Sequence, residues 1–312
     1  MLIFTDNPDY SRRILTSDVQ MIPVEQFSIP EILLQIPRQL YPEKELFVGS
    51  SEANHGFNHF FISEYVSFSQ YDMLLRFANL GHPFRENILC FAGSGDHLHG
   101  FRQRKWKSVA GNIHLSLLLH PGQIIKHAEI AFLILAANAV TQTINQLRRM
   151  RKKAMNRWVN DIVIDHCKVG GVLAQTQILG KIIDKVVLGI GLNVDKSPEI
   201  EVDQFLNKTT HINQYVDGDA HPLNHVLEVL ISHLARNYRD ILENKHEDQL
   251  KYYIDHSIVI GKHVEIYSDP REGNTEKIAE GVVSGLTENL ELILRGRKEV
   301  IRKGRLKLLN SA

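Results

Sequence analysis

A strand pattern followed directly by a long apolar helix pattern lies near the middle of the chain. Apolar side chains alternate over residues 113–119, as on one face of a strand, and Pro121-Gly122 then interrupts the pattern. Residues 123–146 carry apolar side chains at helical spacing. Their most apolar part, residues 128–140, is shorter than the roughly 18 residues that a membrane-spanning helix needs. We therefore expect a buried helix packed on a β-sheet, and no membrane association.

The same alternation of strands and helices extends to both sides of this unit. Residues 59–66 and 86–92 resemble strands and enclose a helical pattern, and further strand patterns occupy residues 161–164, 171–175 and 186–194. After a helical stretch at residues 222–243, short β runs separated by Gly and Asn indicate a small barrel or sandwich from about residue 255. The sequence predicts an α/β domain, a mixed sheet with flanking helices at residues 51–254, followed by a β domain at residues 255–312.

Composition and charge limit the classes of function. The 312 residues balance 36 Lys and Arg against 36 Asp and Glu, so any anion must be bound by locally placed basic groups. Two cysteines and an N-terminus without a secretory pattern favour a cytoplasmic protein. Residues 1–50 have no assigned role, and the prolines between Pro23 and Pro42 argue against a helix-turn-helix, so no nucleic-acid partner is expected.

Three short motifs follow one another in the central part of the chain. GFRQRKWKSVAGN begins at Gly100 and ends at Asn112, RWVNDIVIDHCKVGGVL covers residues 157–173, and GIGLNV covers residues 189–194. In order and spacing they resemble the arginine- and glycine-rich loop, the K-W-P-N-D-I and K-x-x-G-x-L motifs and the G-I-G-I-N-V motif of biotin protein ligases. The resemblance spans roughly residues 67–194. It implies an α/β catalytic domain with a small C-terminal SH3-like β-barrel.

The resemblance also implies a reaction. Biotin and ATP would form biotinyl-adenylate with the help of Mg²⁺, and the biotinyl group would pass to a lysine of a biotin-carrier protein. Biotin and ATP, the reactants of the first step, are both anions, and negative charge grows on the phosphoryl oxygens. Positive groups are therefore required to offset this charge. Lys168 falls on the family lysine beside the carboxylate and α-phosphate. Asp161 would bind Mg²⁺ or orient the carrier lysine, with a capping role at the strand edge as the alternative.

Further residues fall on family positions that contact the nucleotide. Trp106 resembles a tryptophan that stacks on adenine, although a core aromatic under the loop is the alternative. Gly170 and Gly171 would let the backbone approach a ligand closely. Asn193 would offer an amide to phosphate or metal, and Asn112 closes the motif of the arginine loop.

Two departures from the family pattern affect substrate recognition. In the arginine loop, Gly100 and Arg104 match, but Phe101 stands where the family has an arginine. Arg102 would supply that charge from the next position, and protonated His99 would supply part of it.

The block that frames the biotin rings in the family corresponds to Ser69 and Gln70, beside a large Phe68. The adenylating half is therefore better supported than the biotin-binding half. The alternatives are a lipoate or octanoate ligase or acyltransferase of the same fold, and a non-catalytic biotin- or adenylate-binding protein. The sequence leaves both monomer and homodimer open.

Overall fold

The computed structural model describes residues 1–42, 44–52, 55–81, 84–199, 205, 208–216, 218, 220–269 and 275–309. The helices are α1 (Pro8–Ile14), α2 (Glu31–Leu40), α3 (Gln70–Asn79), α4 (Ala128–Gln146), α5 (Leu223–Leu242) and α6 (His246–Asp255). The strands of the first half are β1 (Leu2–Thr5), β2 (Ile22–Pro23), β3 (Phe47–Ser50), β4 (His59–Val66), β5 (Ile88–Gly95), β6 (Ile113–Leu119) and β7 (Ala154–Arg157). Those of the second half are β8 (Asp161–Ile164), β9 (Cys167–Leu179), β10 (Ile182–Leu192), β11 (His263–Tyr267), β12 (Lys277–Leu286), β13 (Leu292–Leu294) and β14 (Arg305–Leu308).

A ten-stranded sheet forms the centre of the molecule, in the order β2-β3-β1-β4-β5-β6-β10-β9-β8-β7. Strand β4 pairs in parallel with β1 and β5, and the other pairs are antiparallel. The predicted mixed sheet with flanking helices is therefore confirmed. Residues 1–50 add three of the strands, so this region extends the sheet of the central domain.

Helices cover both faces of this sheet. On one face α4 packs against β9 and β10 and is covered in turn by α5 and α6, and on the other face α3 packs against β6 and β10. Helix α4 has the length and apolar composition of a membrane span, yet 78% of its most apolar 18-residue window is buried inside the protein. The predicted buried helix is therefore confirmed, and α4 is a core helix.

A second, smaller antiparallel sheet follows in the order β13-β12-β11-β14. This confirms a small C-terminal β unit, although residues 270–274 and 310–312 of the predicted domain lie outside the described residues. The loop between β7 and β8 contacts it, because Trp158 Nε1 donates to the Leu290 carbonyl oxygen at 2.6 Å. Arg157 is buried beside this contact and donates to the carbonyl oxygens of Phe205 and Leu306. The small sheet is thereby fixed against the edge of the large one.

Candidate functional site

One row of paired residues crosses five neighbouring strands of the large sheet. Ala92 pairs with His114, His114 with Gly191, Gly191 with Gly171, and Gly171 with Asp161. Residues paired directly across antiparallel strands point to the same face of the sheet. The side chains of His114 and Asp161 therefore stand on one face, and the two glycines leave the floor between them without side chains.

An inner cavity lies over this floor, on the α3 face of the sheet. Its walls come from the start of α3, the loop after β5, and strands β6, β9 and β10. Most of the predicted substrate-binding residues meet here: Ser69, Gln70, His99, Gly100, Phe101, Trp106 and Gly171. The structure thus brings together residues that are separated by more than 100 positions in the sequence.

Ser69 and Gln70 reach the cavity because a helix begins there. The Ser69 hydroxyl caps α3 by accepting a hydrogen bond from the Asp72 backbone N–H at 3.2 Å. Asp72 in turn accepts a hydrogen bond from His99 Nε2 at 2.9 Å, which ties the arginine loop to the helix. Burial, with Asp72 as the second cause, raises the pKa of the neighbouring Tyr71 to about 12, so Tyr71 is a neutral wall of the cavity at pH 7.

The ring of Trp106 packs closely against β10 at the position of Gly191. A Cβ atom on Gly191 would come within 3.0 Å of three ring atoms of Trp106, a separation that real Cβ atoms essentially never show. The glycine of the G-I-G-L-N-V motif is therefore required by the tryptophan of the arginine loop. The Trp106 indole N–H is buried and has no hydrogen-bond partner among the described residues.

Lys168 stands where the inner cavity meets a second, outer cavity. Its Nζ lies 2.5 Å from Asp161 Oδ1 and 5.5 Å from the centre of the Trp106 ring. Gly171 leaves room for it, because a Cβ atom there would lie 3.3 Å from Lys168 Cε and 3.4 Å from Nζ. The lysine is thus held by a carboxylate on one side and by an aromatic face nearby.

The outer cavity encloses about 660 Å³, and nine of its 21 lining residues are basic. It shares Gly100, Phe101, Trp106, Asn160 and Lys168 with the inner cavity. The cations around it are Arg102, Arg104, Lys105, Lys107, Arg157, Lys168, Arg302, Lys303 and Arg305, against the acids Asp161, Glu199 and Asp269. This excess of positive charge suits a polyanion, although the chain as a whole carries no net charge.

The two predicted arginines contact the C-terminal sheet. Arg102 Nη1 lies 2.6 Å and Arg104 Nη2 lies 3.4 Å from Oδ2 of Asp269, which follows β11 and is only 3% exposed. Burial and then repulsion by Arg305 lower the pKa of Arg104. Arg102 has left-handed backbone angles (φ 56°, ψ 42°), a conformation that costs about 1–2 kcal/mol for a residue with a side chain. The ion pair with Asp269 stabilises the loop in this form.

For ATP, the nucleotide that the motif resemblance implies, we expect Asp269→Ala to weaken binding about 10-fold, which corresponds to about 1.4 kcal/mol. Without the carboxylate, Arg102 no longer has the ion pair that offsets its backbone strain, and the loop leaves the conformation that lines the outer cavity. Calorimetric titration with ATP measures this, with Asp9→Ala, which removes an exposed ion pair, as the control. Tighter ATP binding would instead show that Asp269 competes with phosphate for the arginines.

Three predicted residues line neither cavity. Asn112 Oδ1 accepts from the backbone N–H of Val194 at 2.9 Å, and Asn193 Nδ2 donates to the Thr210 carbonyl oxygen at 3.0 Å. Both asparagines are buried and hold the loop after β10 in place. Gly170 faces α4, since a Cβ atom there would lie 3.7 Å from Val140. Contact of these residues with a nucleotide stays a prediction.

Some cavity residues were not predicted. Asn160 lines both cavities and donates from Nδ2 to the Val172 carbonyl oxygen at 3.0 Å. It stands next to Asp161 in the W-V-N-D motif, so the motif itself could have identified it. His114 and Tyr71 also line the inner cavity, but they look like an ordinary strand residue and an ordinary helix residue in the sequence. Only the strand register and the helix start reveal them.

Comparison with known proteins identifies relatives of the site-bearing segment. Residues 98–193 match the model of the biotin/lipoate A/B protein ligase family. The chain is 28% identical over 158 residues to the bifunctional ligase/repressor BirA of Bacillus subtilis (strain 168), covering 50% of this chain and 47% of that protein. It is 30% identical over 110 residues to a biotin–[acetyl-CoA-carboxylase] ligase of Paracoccus denitrificans, covering 35% and 43%. The chain spans less than half the length of these curated relatives.

Solved structures share the fold over most of the chain. The biotin protein ligase from Aquifex aeolicus in complex with biotin and ATP superposes with a TM-score of 0.62 at 21% identity, covering 82% of this chain and all of that one. The biotin protein ligase from Leishmania major in complex with biotin gives a TM-score of 0.51 at 18% identity, covering 81% and 98%. Residues 98–193 therefore resemble the biotin/lipoate A/B protein ligase family in sequence, and most of the chain shares the fold of solved biotin protein ligases.

Proposed function

We propose that this protein is an ATP-dependent biotin–protein ligase. It would activate biotin as biotinyl-5′-AMP and transfer the biotinyl group to a lysine of a biotin-carrier domain, such as that of a carboxylase. The observation that carries the proposal is the position of Lys168, the cation at the junction of a narrow inner cavity and a basic outer one. The named ligands and activities of the relatives agree with it.

The two cavities suit the two substrates of the first step. The inner cavity takes a carboxylic acid with its carboxylate toward Lys168, and the outer cavity takes the triphosphate among its basic side chains. A carboxylate oxygen then attacks the α-phosphorus, the bond to the β-phosphate oxygen breaks, and pyrophosphate leaves. Lys168 offsets the charge that grows on the phosphoryl oxygens, in a site where Trp106 and the arginine loop limit access of water.

The second step uses the same junction. The uncharged amine of the carrier lysine attacks the acyl carbon, the bond from that carbon to the phosphate oxygen breaks, and AMP leaves. Asp161 lies beside Lys168 and is the carboxylate placed to accept the proton that the amine loses. Both steps thus depend on the same ion pair, first on its ammonium and then on its carboxylate.

Mg²⁺ is proposed as a partner of the phosphates. In the described part of the chain no group of three or more His, Cys, Asp or Glu side chains is arranged to hold a metal ion. This fits a cation that keeps most of its water and is bound by one or two carboxylates together with substrate phosphates. Asp161 is the carboxylate at the junction that would reach Mg²⁺. The bound Mg²⁺ would supply its positive charge where the triphosphate binds.

The remaining assignments follow from the same proposal. The four-stranded C-terminal sheet is proposed to be an SH3-like barrel that helps to close the outer cavity, since Asp269, Gly304 and Arg305 line it. We propose a cytoplasmic location, where ATP and carrier proteins occur together, and a monomer or homodimer without a nucleic-acid partner.

ATP–pyrophosphate exchange tests the proposal directly. The protein is incubated with ATP, Mg²⁺ and labelled pyrophosphate, and with biotin, lipoate or octanoate in parallel reactions. Exchange with biotin is the expected result. Exchange only with lipoate or octanoate would assign the protein to acyl-chain ligation instead, and binding of biotin or ATP without exchange would identify a non-catalytic binding protein.

A further inference from the structure

His114 is a buried histidine whose second ring nitrogen has no hydrogen-bond partner among the described residues. The residue is 4% exposed, and its ring lines the inner cavity. Nδ1 lies 3.2 Å from the carbonyl oxygen of Ala92 on the neighbouring strand. Nε2 is buried and makes no hydrogen bond within the part of the chain that the structure describes. A polar atom in this position is costly unless something satisfies it, so a ligand in the cavity is the natural partner.

The protonation state of His114 follows from its surroundings. A carbonyl oxygen can only accept a hydrogen bond, so the nitrogen beside Ala92 carries the proton. Burial lowers the pKa of His114 to about 4, against the smaller opposing effect of the Ala92 and Gly93 backbone, and the ring is therefore neutral at pH 7. A neutral imidazole carries one proton, and Nδ1 has it. Nε2 is left with a lone pair and acts only as an acceptor.

Other polar groups of the cavity wall are already partly used by the protein. The Ser69 hydroxyl oxygen accepts a backbone N–H at the start of α3. Gln70 Nε2 lies 3.5 Å from the Phe91 carbonyl oxygen, and His99 Nε2 is paired with Asp72. His114 Nε2 thus offers an unused acceptor on the cavity face of β6. A plain acyl chain has no donor to place there.

We propose that His114 determines substrate specificity by accepting a hydrogen bond at Nε2 from an N–H group at the buried end of the substrate. It favours acids whose head group is a cyclic urea, or another group with an N–H, over saturated acyl acids and dithiolane acids of similar length. This inference rests on the proposed function and assigns to His114 the recognition of the substrate's N–H group. An acid without the N–H leaves a buried acceptor unpaired, which is an effective way to reject an analogue.

Calorimetric titration at pH 7.5 with biotin, desthiobiotin and octanoate tests the inference. His114→Phe keeps a planar ring but removes the acceptor. We expect the affinities for biotin and desthiobiotin, relative to octanoate, to fall roughly 10- to 100-fold. His114→Gln should recover part of this preference, because its amide can donate to Ala92 and accept from the ligand. The ratio of affinities is the readout, because a general loosening of the cavity would weaken all three acids together.

The chain offers a matched control in His233. Burial also lowers the pKa of His233 to about 4, but its Nε2 is paired with Gln146 Oε1 at 2.7 Å and it does not line the inner cavity. His233→Phe should leave the ratio of affinities unchanged. An unchanged ratio in His114→Phe would overturn the inference. If His114→Phe fails to fold, two other measurements decide. The inference is overturned if His114→Gln has an unaltered ratio of affinities and the wild-type protein binds octanoate as tightly as desthiobiotin.

Parallel ATP–pyrophosphate exchange separates the inference from the proposed function. Exchange by the wild-type protein with octanoate and none with biotin would overturn the role of His114 and leave adenylation intact. Tight binding of biotin that depends on His114, without exchange, would support the role of His114 and contradict the ligase activity. A wild-type protein that binds none of the three acids contradicts both.

Discussion

Lys168→Ala should reduce ATP–pyrophosphate exchange by at least about 100- to 1000-fold, the usual effect of removing a group that stabilises charge in a transition state. Lys168 is the cation that both cavities share, and its Nζ is held 2.5 Å from Asp161. Without it the carboxylate and the α-phosphate would lose the cation placed between them, and their repulsion and misalignment would slow the reaction. The fold should survive, because both partners of the ion pair keep some contact with solvent.

Lys181→Ala provides the control for this prediction. Lys181 is exposed in the turn between β9 and β10, at the other end of the same hairpin, and lines neither cavity. Its loss should leave the exchange rate within about 2-fold of wild type, as surface changes usually do. Circular dichroism and urea unfolding should show that both variants are folded. Full exchange by a folded Lys168→Ala protein would remove Lys168 from the proposed mechanism.

Gly191→Ala should have the second largest effect, although it adds a single methyl group. The new Cβ would lie within 3.0 Å of three ring atoms of Trp106, and a rigid indole cannot move aside by rotating its far end. Trp106 must therefore leave the strand, and both cavities that it lines lose a wall. We expect exchange to fall about 100-fold and the free energy of unfolding to fall by about 1–3 kcal/mol, as in other overpacked sites.

The chain has a suitable control glycine at position 285. Gly285 lies in strand β12, and a Cβ atom there would meet nothing nearer than 3.8 Å. Gly285→Ala should leave exchange unchanged. Tryptophan fluorescence gives an independent measurement, because Trp106 is one of only two tryptophans in the chain. Wild-type emission and activity in Gly191→Ala would contradict the close packing of Trp106 on β10.

The sequence predicted the parts of the fold that depend on local pattern. The alternation of apolar residues in β6 and their helical spacing in α4 were sufficient to predict both elements. Each element buries one face, so its apolar residues repeat with the period of a strand or of a helix. The motif around Lys168 likewise indicated a cation beside small residues, and the structure places Gly171 under its side chain. These features lie within a few residues of one another, so their arrangement can be read from spacing alone.

Other features depend on contacts between distant residues. Asp269 contacts Arg102 across 167 positions, and no local pattern marks either residue as its partner. His114 is one of several polar residues in apolar strands, and only the register that pairs it with Ala92 and Gly191 gives its ring an acceptor facing the cavity. Strand β1 was not recognised as part of the sheet, because four residues carry too weak a period to assign.

The row of paired residues across the large sheet has a consequence for the length of the substrate. His114 stands on β6 and Lys168 lies over Gly171 on β9, with only β10 between those strands. Neighbouring strands are about 4.8 Å apart, so the two ends of the cavity are separated by about 10 Å measured across the sheet. This distance is set by backbone hydrogen bonds rather than by side chains. A substitution at position 114 would therefore alter the group that contacts the far end of a bound acid without altering its distance from Lys168.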